Sequence, residues 1–361
     1  MSSPASHLST KHYPRRTRGG RCSSRKRIFR SFLIAPAISG SPSHLSDGVD
    51  LVRRTRSANP SLFQSDRAPV SRGVHYARDM PSPPGRYDLP PLAIVNDVDD
   101  KNPLLDFVYS DKIWLGDGVE PPRYSDLDGC DCPASGCDPA TCKCAARQAR
   151  FTSEYFLGFG YRPDGRLRQH EVPIFECNHC CRCQGGACTN RVVQRGATTD
   201  IYLKKTSRKG WGVFTRTLIR KDTFVGTFAG ELLSPRVGQT RERSYTERGL
   251  LPTLALDPYY LRQQYRDFYV IDSHRTGNFT RFINHSCLPN CRITPCYIEE
   301  QDIRKPLMAF FATEDVPANT ELTLSYSGFE LRPHAKHTQQ SKPQWPCYCD
   351  APNCRGFTIP G

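Results

Sequence analysis

The chain has 361 residues, enough for one large domain or two modest ones, and no stretch approaches the run of about 18 apolar residues that a membrane-crossing helix needs. Its formal net charge of +14 favours an acidic partner, chromatin or nucleic acid, but says nothing about the fold. Seventeen cysteines without a secretory apolar stretch at the N-terminus speak against a disulfide framework and for zinc in a reducing compartment.

Residues 1–90 are rich in Ser, Pro and Arg and show no sustained helical or strand period. They hold too little apolar surface to offset the entropy of ordering, so a disordered basic tail is expected. The first 46 residues contain no Asp or Glu, yet carry Arg15, Arg16, Arg18, Arg25, Lys26, Arg27 and Arg30. Such clusters suit a nuclear import signal or a phosphate-binding arm that touches nucleic acid. A mitochondrial presequence and a plain solvated tail are competing readings.

Order is expected from about Pro91, with β-branched Ile94-Val95 and the apolar Phe107-Val108-Tyr109, and turns at Asp117-Gly118 and Pro121-Pro122. Two cysteine blocks follow. The first is Cys130-x-Cys132-x4-Cys137-x4-Cys142-x-Cys144, and the second Cys177-x3-Cys181-x-Cys183-x4-Cys188. Neither has the spacing of a DNA-binding finger. These nine thiols fill three tetrahedral zinc sites only if three sulfurs each bridge two metals; two sites with a spare sulfur fit as well. Cys180 is supernumerary and is expected to be a free buried thiol.

From Val192 onward short β-rich runs recur: Ile201–Leu203, Gly212–Phe214, Thr223–Phe228, Phe268–Ile271, Leu307–Phe311 and Glu321–Tyr326. Only Pro235 to Arg248 offers room for a sizeable helix. Strands without βα alternation predict a mostly antiparallel β domain and not a doubly wound sheet. Inside this region Arg281 to Asn290 reads RFINHSCLPN, a cation, amides, an imidazole, a hydroxyl and a thiol in ten residues. Its Cys287 has no metal-spaced neighbour, whereas the tail Cys347-x-Cys349-x4-Cys354 has three thiols and wants a fourth. Residues 331–346, polar and with two prolines, read as a linker to that tail.

The two-block cysteine array, RFINHSCLPN, and Glu321-Leu-Thr-Leu-Ser-Tyr326 followed by C-x-C-x4-C together resemble the SET-domain histone lysine methyltransferases with pre-SET and post-SET motifs. The likeness is strongest to the heterochromatin-type branch that modifies lysine 9 of histone H3. It implies a β-clip fold of small curved sheets with a threaded, knot-like segment. It divides the chain into a tail over 1–90, a pre-SET region over 91–196, a SET domain over 197–330 and a linker with post-SET motif over 331–361. It implies about four zinc ions: three on the nine pre-SET thiols, and one on Cys287, Cys347, Cys349 and Cys354. Lys209, Gly210 and Trp211, in a segment reading RKGWGV, would meet S-adenosylmethionine with Asn284 and His285, and Arg281 would support the site. Tyr326 matches the catalytic tyrosine, with His285 and Arg281 beside the reaction. The histone H3 tail in chromatin is the implied partner, and the nucleus and chromosome the implied location.

Three positions depart from the pattern. Phe228 in Phe-Ala-Gly-Glu stands where the family has Tyr, Pro252 stands at a cofactor-side Tyr, and Leu324 stands before Ser325-Tyr326 where Phe or Tyr is usual. Leu324 lacks a restraining hydroxyl, which implies di- or trimethylation. Two other function classes remain in view at this level: a SET scaffold that binds a histone tail or cofactor without turnover, and a zinc-dependent nucleic-acid-binding protein. The NHSC and RKGWGV segments argue against the second, since a simple binder needs neither.

Overall fold

The computed structural model describes residues 92–326 and 345–358, apart from 102, 104–106, 153–157, 170–171, 184–186 and 263, together with a two-residue strand, Tyr76–Ala77. The rest of the expected tail and nearly all of the expected linker lie outside the described residues.

Three sheets carry the fold. The first runs, in spatial order, Asn284–His285, Glu321–Leu324, Gly210–Thr215, Ile201–Thr206, Ala93–Val95. The second runs Ile174–Phe175, Cys291–Tyr297, Leu307–Ala312, Phe224–Thr227. The third runs Tyr76–Ala77, Ile113–Leu115, Gly230–Leu233, Val270–Asp272, Thr253–Ala255. Thr276–Gly277 pairs with Val108–Tyr109, and Trp345–Pro346 with Phe357–Thr358, as two small ribbons.

The second sheet is the core. Every residue of Leu307–Ala312 is buried, as a continuous apolar run with cover on both faces requires. Phe310 and Phe311 are among the largest fully buried side chains, and they pack with Phe224, Ile293, Val213, Leu203 and Leu322. Gly226 is obligatory here, because a Cβ would stand 2.5 Å from the Phe279 ring. The expected helix forms over Pro235–Glu247, with Pro235 in the first turn, where its missing N–H costs nothing. Gly249 follows with φ of 71°, a left-handed stop. Gly238 lets the helix lie on the third sheet, since a Cβ would be 2.6 Å from a Val270 methyl.

Several expectations need correction. Antiparallel pairing predominates, as expected, but several parallel ladders were not foreseen. Segments that precede the strands they join pair in parallel: Tyr76–Ala77 on Ile113 and Trp114, Ala93–Val95 on Tyr202 to Lys204, Val108–Tyr109 on Thr276–Gly277, and Ile174–Phe175 on Cys296 and Tyr297. Parallel pairing needs no local hairpin, so no turn signal announces it. The strand Tyr76–Ala77 falls inside the segment expected to be disordered. Cys291–Tyr297, a buried strand, was hidden by Pro295, a residue that normally argues against a central strand.

Candidate active site and metal centres

The first sheet gathers the segments singled out in the sequence. The hairpin Arg208-Lys209-Gly210 turns tightly, with Gly210 at φ of 73° and Lys209 N–H donating to Thr206 Oγ1 at 2.9 Å. It hands the chain to Gly210–Thr215, whose neighbour is Glu321–Leu324, and beyond that lies Asn284–His285. Residues far apart in sequence thus become adjacent strands.

Asn284 donates from Nδ2 to the Trp211 carbonyl at 3.1 Å and to Glu321 Oε1 at 2.8 Å. Lys209 Nζ is ion-paired with Glu321 Oε2. Trp211 is half-buried, with Lys205 Nζ 5.2 Å from its ring centroid. Glu321 opens a motif in the sequence but has no role of its own there. It heads the run that ends in Tyr326, and an acid at the start of an otherwise apolar strand was the available signal.

His285 is buried, and its Nδ1 accepts the Tyr326 N–H at 3.0 Å, so that nitrogen carries no proton. Burial first, then the cations of Arg355 and Lys209, push its pKa down to about 4. Its ring meets Tyr326 edge to face at 5.4 Å. The Tyr326 hydroxyl donates to the Ile283 carbonyl at 2.7 Å. Burial, and then the nearby Glu321 charge, raise the pKa of that phenol, which stays protonated. Ser286 N–H donates to the Leu324 carbonyl at 2.9 Å, closing the two strands over this pair.

Arg281 lies to one side. Its guanidinium sits 3.9 Å from the Phe107 ring centroid and 5.4 Å from that of Phe282, and it reaches the His274 carbonyl at 3.5 Å. It thereby joins the segment around Phe107 to those around Phe282 and His274.

At the departures, Phe228 is buried, its ring 6.4 Å from that of Phe310. Pro252 offers its carbonyl to Ser273 N–H at 2.9 Å and Ser273 Oγ at 2.7 Å. Nearby, the Tyr260 hydroxyl bonds the Tyr297 hydroxyl at 2.7 Å and its ring meets Phe151, so it does not stand in for a tyrosine at Pro252.

The nine pre-SET thiols form one buried cluster around the helix Lys143–Ala149, together with Ala145 and Phe159. They make four overlapping quartets, each with all its sulfurs within 4.8 Å of one another, and Cys130 and Cys177 recur in three of them. Tetrahedral zinc with bonds of about 2.3 Å sets neighbouring sulfurs about 3.8 Å apart. Here Cys130 to Cys183 is 3.6 Å, Cys130 to Cys137 3.8 Å, Cys137 to Cys188 3.7 Å and Cys144 to Cys181 3.6 Å. These spacings suit thiolates around metal and are far too long for disulfides, and no disulfide joins the cysteines among the described residues. Three metals on nine thiols demand shared sulfurs, and sulfurs close enough to be shared are present, since five of the nine recur in more than one quartet. Cys180 stands outside the quartets and is only half-buried, not buried as expected, with Sγ 3.4 Å from His179 Nε2.

A fifth quartet is Cys287, Cys347, Cys349 and Cys354. Cys287 Sγ is 3.9 Å from Cys347 Sγ and 3.5 Å from His285 Nε2, so this centre abuts the imidazole. Arg208 is ion-paired with Asp350, and Asn353 Nδ2 donates to the Cys287 carbonyl at 3.3 Å. The tail is therefore laid against both the hairpin and RFINHSCLPN.

Known proteins share this arrangement. The pre-SET motif matches residues 86–191 and the SET domain residues 210–327. A histone-lysine N-methyltransferase of Cryptococcus neoformans var. grubii, H3 lysine-9 specific, is 33% identical over 276 residues, 66% of this chain. The chain spans only 15% of that relative's length, and 52% of the SUV39H1 histone-lysine N-methyltransferase of Xenopus laevis, to which it is 36% identical over 65% of its own. The methyltransferase domain of human SETMAR has a similar structure, with a TM-score of 0.61, 31% identity, and coverage of 76% of this chain and 96% of that one. KRYPTONITE in complex with mCHH DNA, an H3(1–15) peptide and SAH gives a TM-score of 0.59 at 28% identity, covering 75% of this chain and 51% of that one. With a pre-SET motif and a SET domain in order and relatives matched at this level, the chain belongs to the family of SET-domain histone-lysine methyltransferases that carry a pre-SET motif.

Proposed function

We propose that the protein transfers methyl groups from S-adenosylmethionine to a lysine of the histone H3 tail, lysine 9, on chromatin in the nucleus. The observation that carries this reading is the convergence, on one sheet, of the Lys209–Trp211 hairpin, Asn284, His285 and Tyr326, with the Cys287 centre against them. Relatives named as H3 lysine-9 specific enzymes, and a similar structure described with H3 peptide and SAH, support the choice of substrate.

When bound, S-adenosylmethionine supplies a sulfonium methyl for in-line displacement, a step that rewards alignment over covalent help. An incoming lysine has a reference pKa of about 10.4 and must shed its proton before it attacks. A buried approach beside a positive sulfonium favours the neutral amine through desolvation and like charge. Tyr326, its proton engaged by the Ile283 carbonyl, holds its oxygen lone pairs at a fixed place where they accept from the amine. Neutral His285 holds the Tyr326 backbone. Lys209, Gly210, Trp211, Asn284 and His285 form the cofactor face, and Arg281 braces it. The nine pre-SET thiols hold three zinc ions and the Cys287 quartet a fourth, which keeps the tail over the site. Leu324, without a hydroxyl, leaves the amine free to turn, so di- and trimethylated products are expected. The same reading divides the chain at 90, 196 and 330.

A methyl-transfer assay on histone H3 and its tail peptide tests the reading, with Tyr326→Phe as control. Labelled H3 from the wild type and little from the variant is the expected result. No labelled product from a wild type that binds S-adenosylmethionine would instead leave a scaffold that holds ligands without turnover. Phe228, which presents no hydroxyl to the amine, and Pro252, which stands at a cofactor-side Tyr, are what favour that second reading.

A further inference from the structure

Glu321 has no part in the mechanism above, yet it joins the residues assigned to the cofactor face. Its side chain is 15% exposed, and both oxygens are engaged. Oε2 pairs with Lys209 Nζ, and Oε1 accepts from Asn284 Nδ2 at 2.8 Å. The second Asn284 amide hydrogen goes to the Trp211 carbonyl at 3.1 Å, so the amide is locked with its oxygen turned away from both partners. Room for the carboxylate exists because residue 212 lacks a side chain: a Cβ there would stand 2.6 Å from Glu321 Oε1 and 3.1 Å from Asn284 Nδ2.

The charges at this face are also informative. The Lys209 ammonium and the Glu321 carboxylate pair with side chains only 19% and 15% exposed, so each charge is balanced locally with little solvent between them. S-adenosylmethionine carries a sulfonium, and so one more positive charge than its product, the thioether S-adenosylhomocysteine. A face on which Lys209 stood uncancelled would repel the first more than the second.

We propose that Glu321 is a positioning residue of the cofactor face that fixes Lys209 and the Asn284 amide and, by cancelling the Lys209 cation, favours the sulfonium cofactor over its neutral product. This rests on the methyltransferase reading and deepens it. Glu321 sets how strongly the enzyme is inhibited by its own product.

The test is calorimetric titration of the zinc-loaded full chain with each compound separately. Glu321→Gln is expected to weaken S-adenosylmethionine binding about tenfold and S-adenosylhomocysteine about threefold or less, shifting their ratio roughly threefold or more. Glu321→Asp, which keeps the charge, should lose affinity for both while holding the wild-type ratio. Lys209→Gln should move the ratio in the opposite direction, and it decides alone if Glu321→Gln fails to retain its zinc. Equal weakening of both compounds in Glu321→Gln, or no change in either, overturns the proposal, since a purely structural role moves the two together. A wild type that binds neither compound removes the underlying reading and the proposal with it, an outcome seen before any variant is made.

Discussion

Tyr326 shows how much a single hydroxyl is asked to do. Its proton is held by the Ile283 carbonyl and its backbone by neutral His285, so the oxygen is aimed by two residues of RFINHSCLPN. Tyr326→Phe keeps the ring and removes the acceptor, and a fall in kcat of about 10- to 1000-fold is expected in a methyl-transfer assay, with zinc content unchanged. Gly212 is decisive in another way. Gly212→Ala drives a methyl into Glu321 Oε1 and Asn284 Nδ2, so it should weaken S-adenosylhomocysteine binding at least about tenfold in a titration. Gly212 lies in the RKGWGV segment, and a glycine there admits a close neighbour. The neighbour that approaches is a side chain of the same protein, and that could not be read from the motif.

At the scale of elements, the helix Pro235–Glu247 is fastened to the third sheet by an ionic fork. Arg241 reaches Glu231 Oε2 at 2.6 Å and Asp272 Oδ2 at 2.9 Å, and Tyr245 donates to the same Asp272 oxygen at 2.9 Å. Asp272 is 1% exposed, so its charge depends on these partners. Arg241→Met fills similar volume but strands a buried carboxylate, and should cost about 3–5 kcal/mol in chemical unfolding of the zinc-loaded protein. Arg241→Lys should recover only part of that, because an ammonium cannot span both acids as a planar fork does. The helix itself was legible from its Pro start and Gly stop. The fork was not, since Glu231, Arg241 and Asp272 lie on three elements and follow no spacing rule.

For the whole molecule, zinc takes the place of a core in the cysteine blocks. Only Ala145 and Phe159 pack among the nine thiols, too little apolar area to hold the blocks together once metal is gone, whereas Tyr161, Leu167 and Ile174 join the main core. About four zinc ions per chain are expected by elemental analysis, and a strong chelator should unfold the cysteine blocks while the Phe310–Phe311 core of the second sheet outlasts them. Cys287→Ser should lower the zinc content by about one and cut methyl transfer, leaving the other three metals in place. Loss of more than one would mean that the two centres are coupled.

The sequence by itself determined the chemistry. The nine clustered thiols, the three tail thiols that lacked a fourth ligand, the RKGWGV and RFINHSCLPN segments and Tyr326 are all local patterns, because ligand spacing and tight turns act within a few residues of chain. The tertiary structure alone decided what those patterns face. That the Cys287 quartet stands against the His285 ring, that Glu321 ties Lys209 to Asn284, that Tyr260 is taken by Tyr297, and that N-terminal strands enter the sheets in parallel all depend on contacts between distant segments. Such contacts are selected by packing and burial over the whole chain, and a parallel strand or a shared carboxylate leaves no periodic trace in the residues next to it.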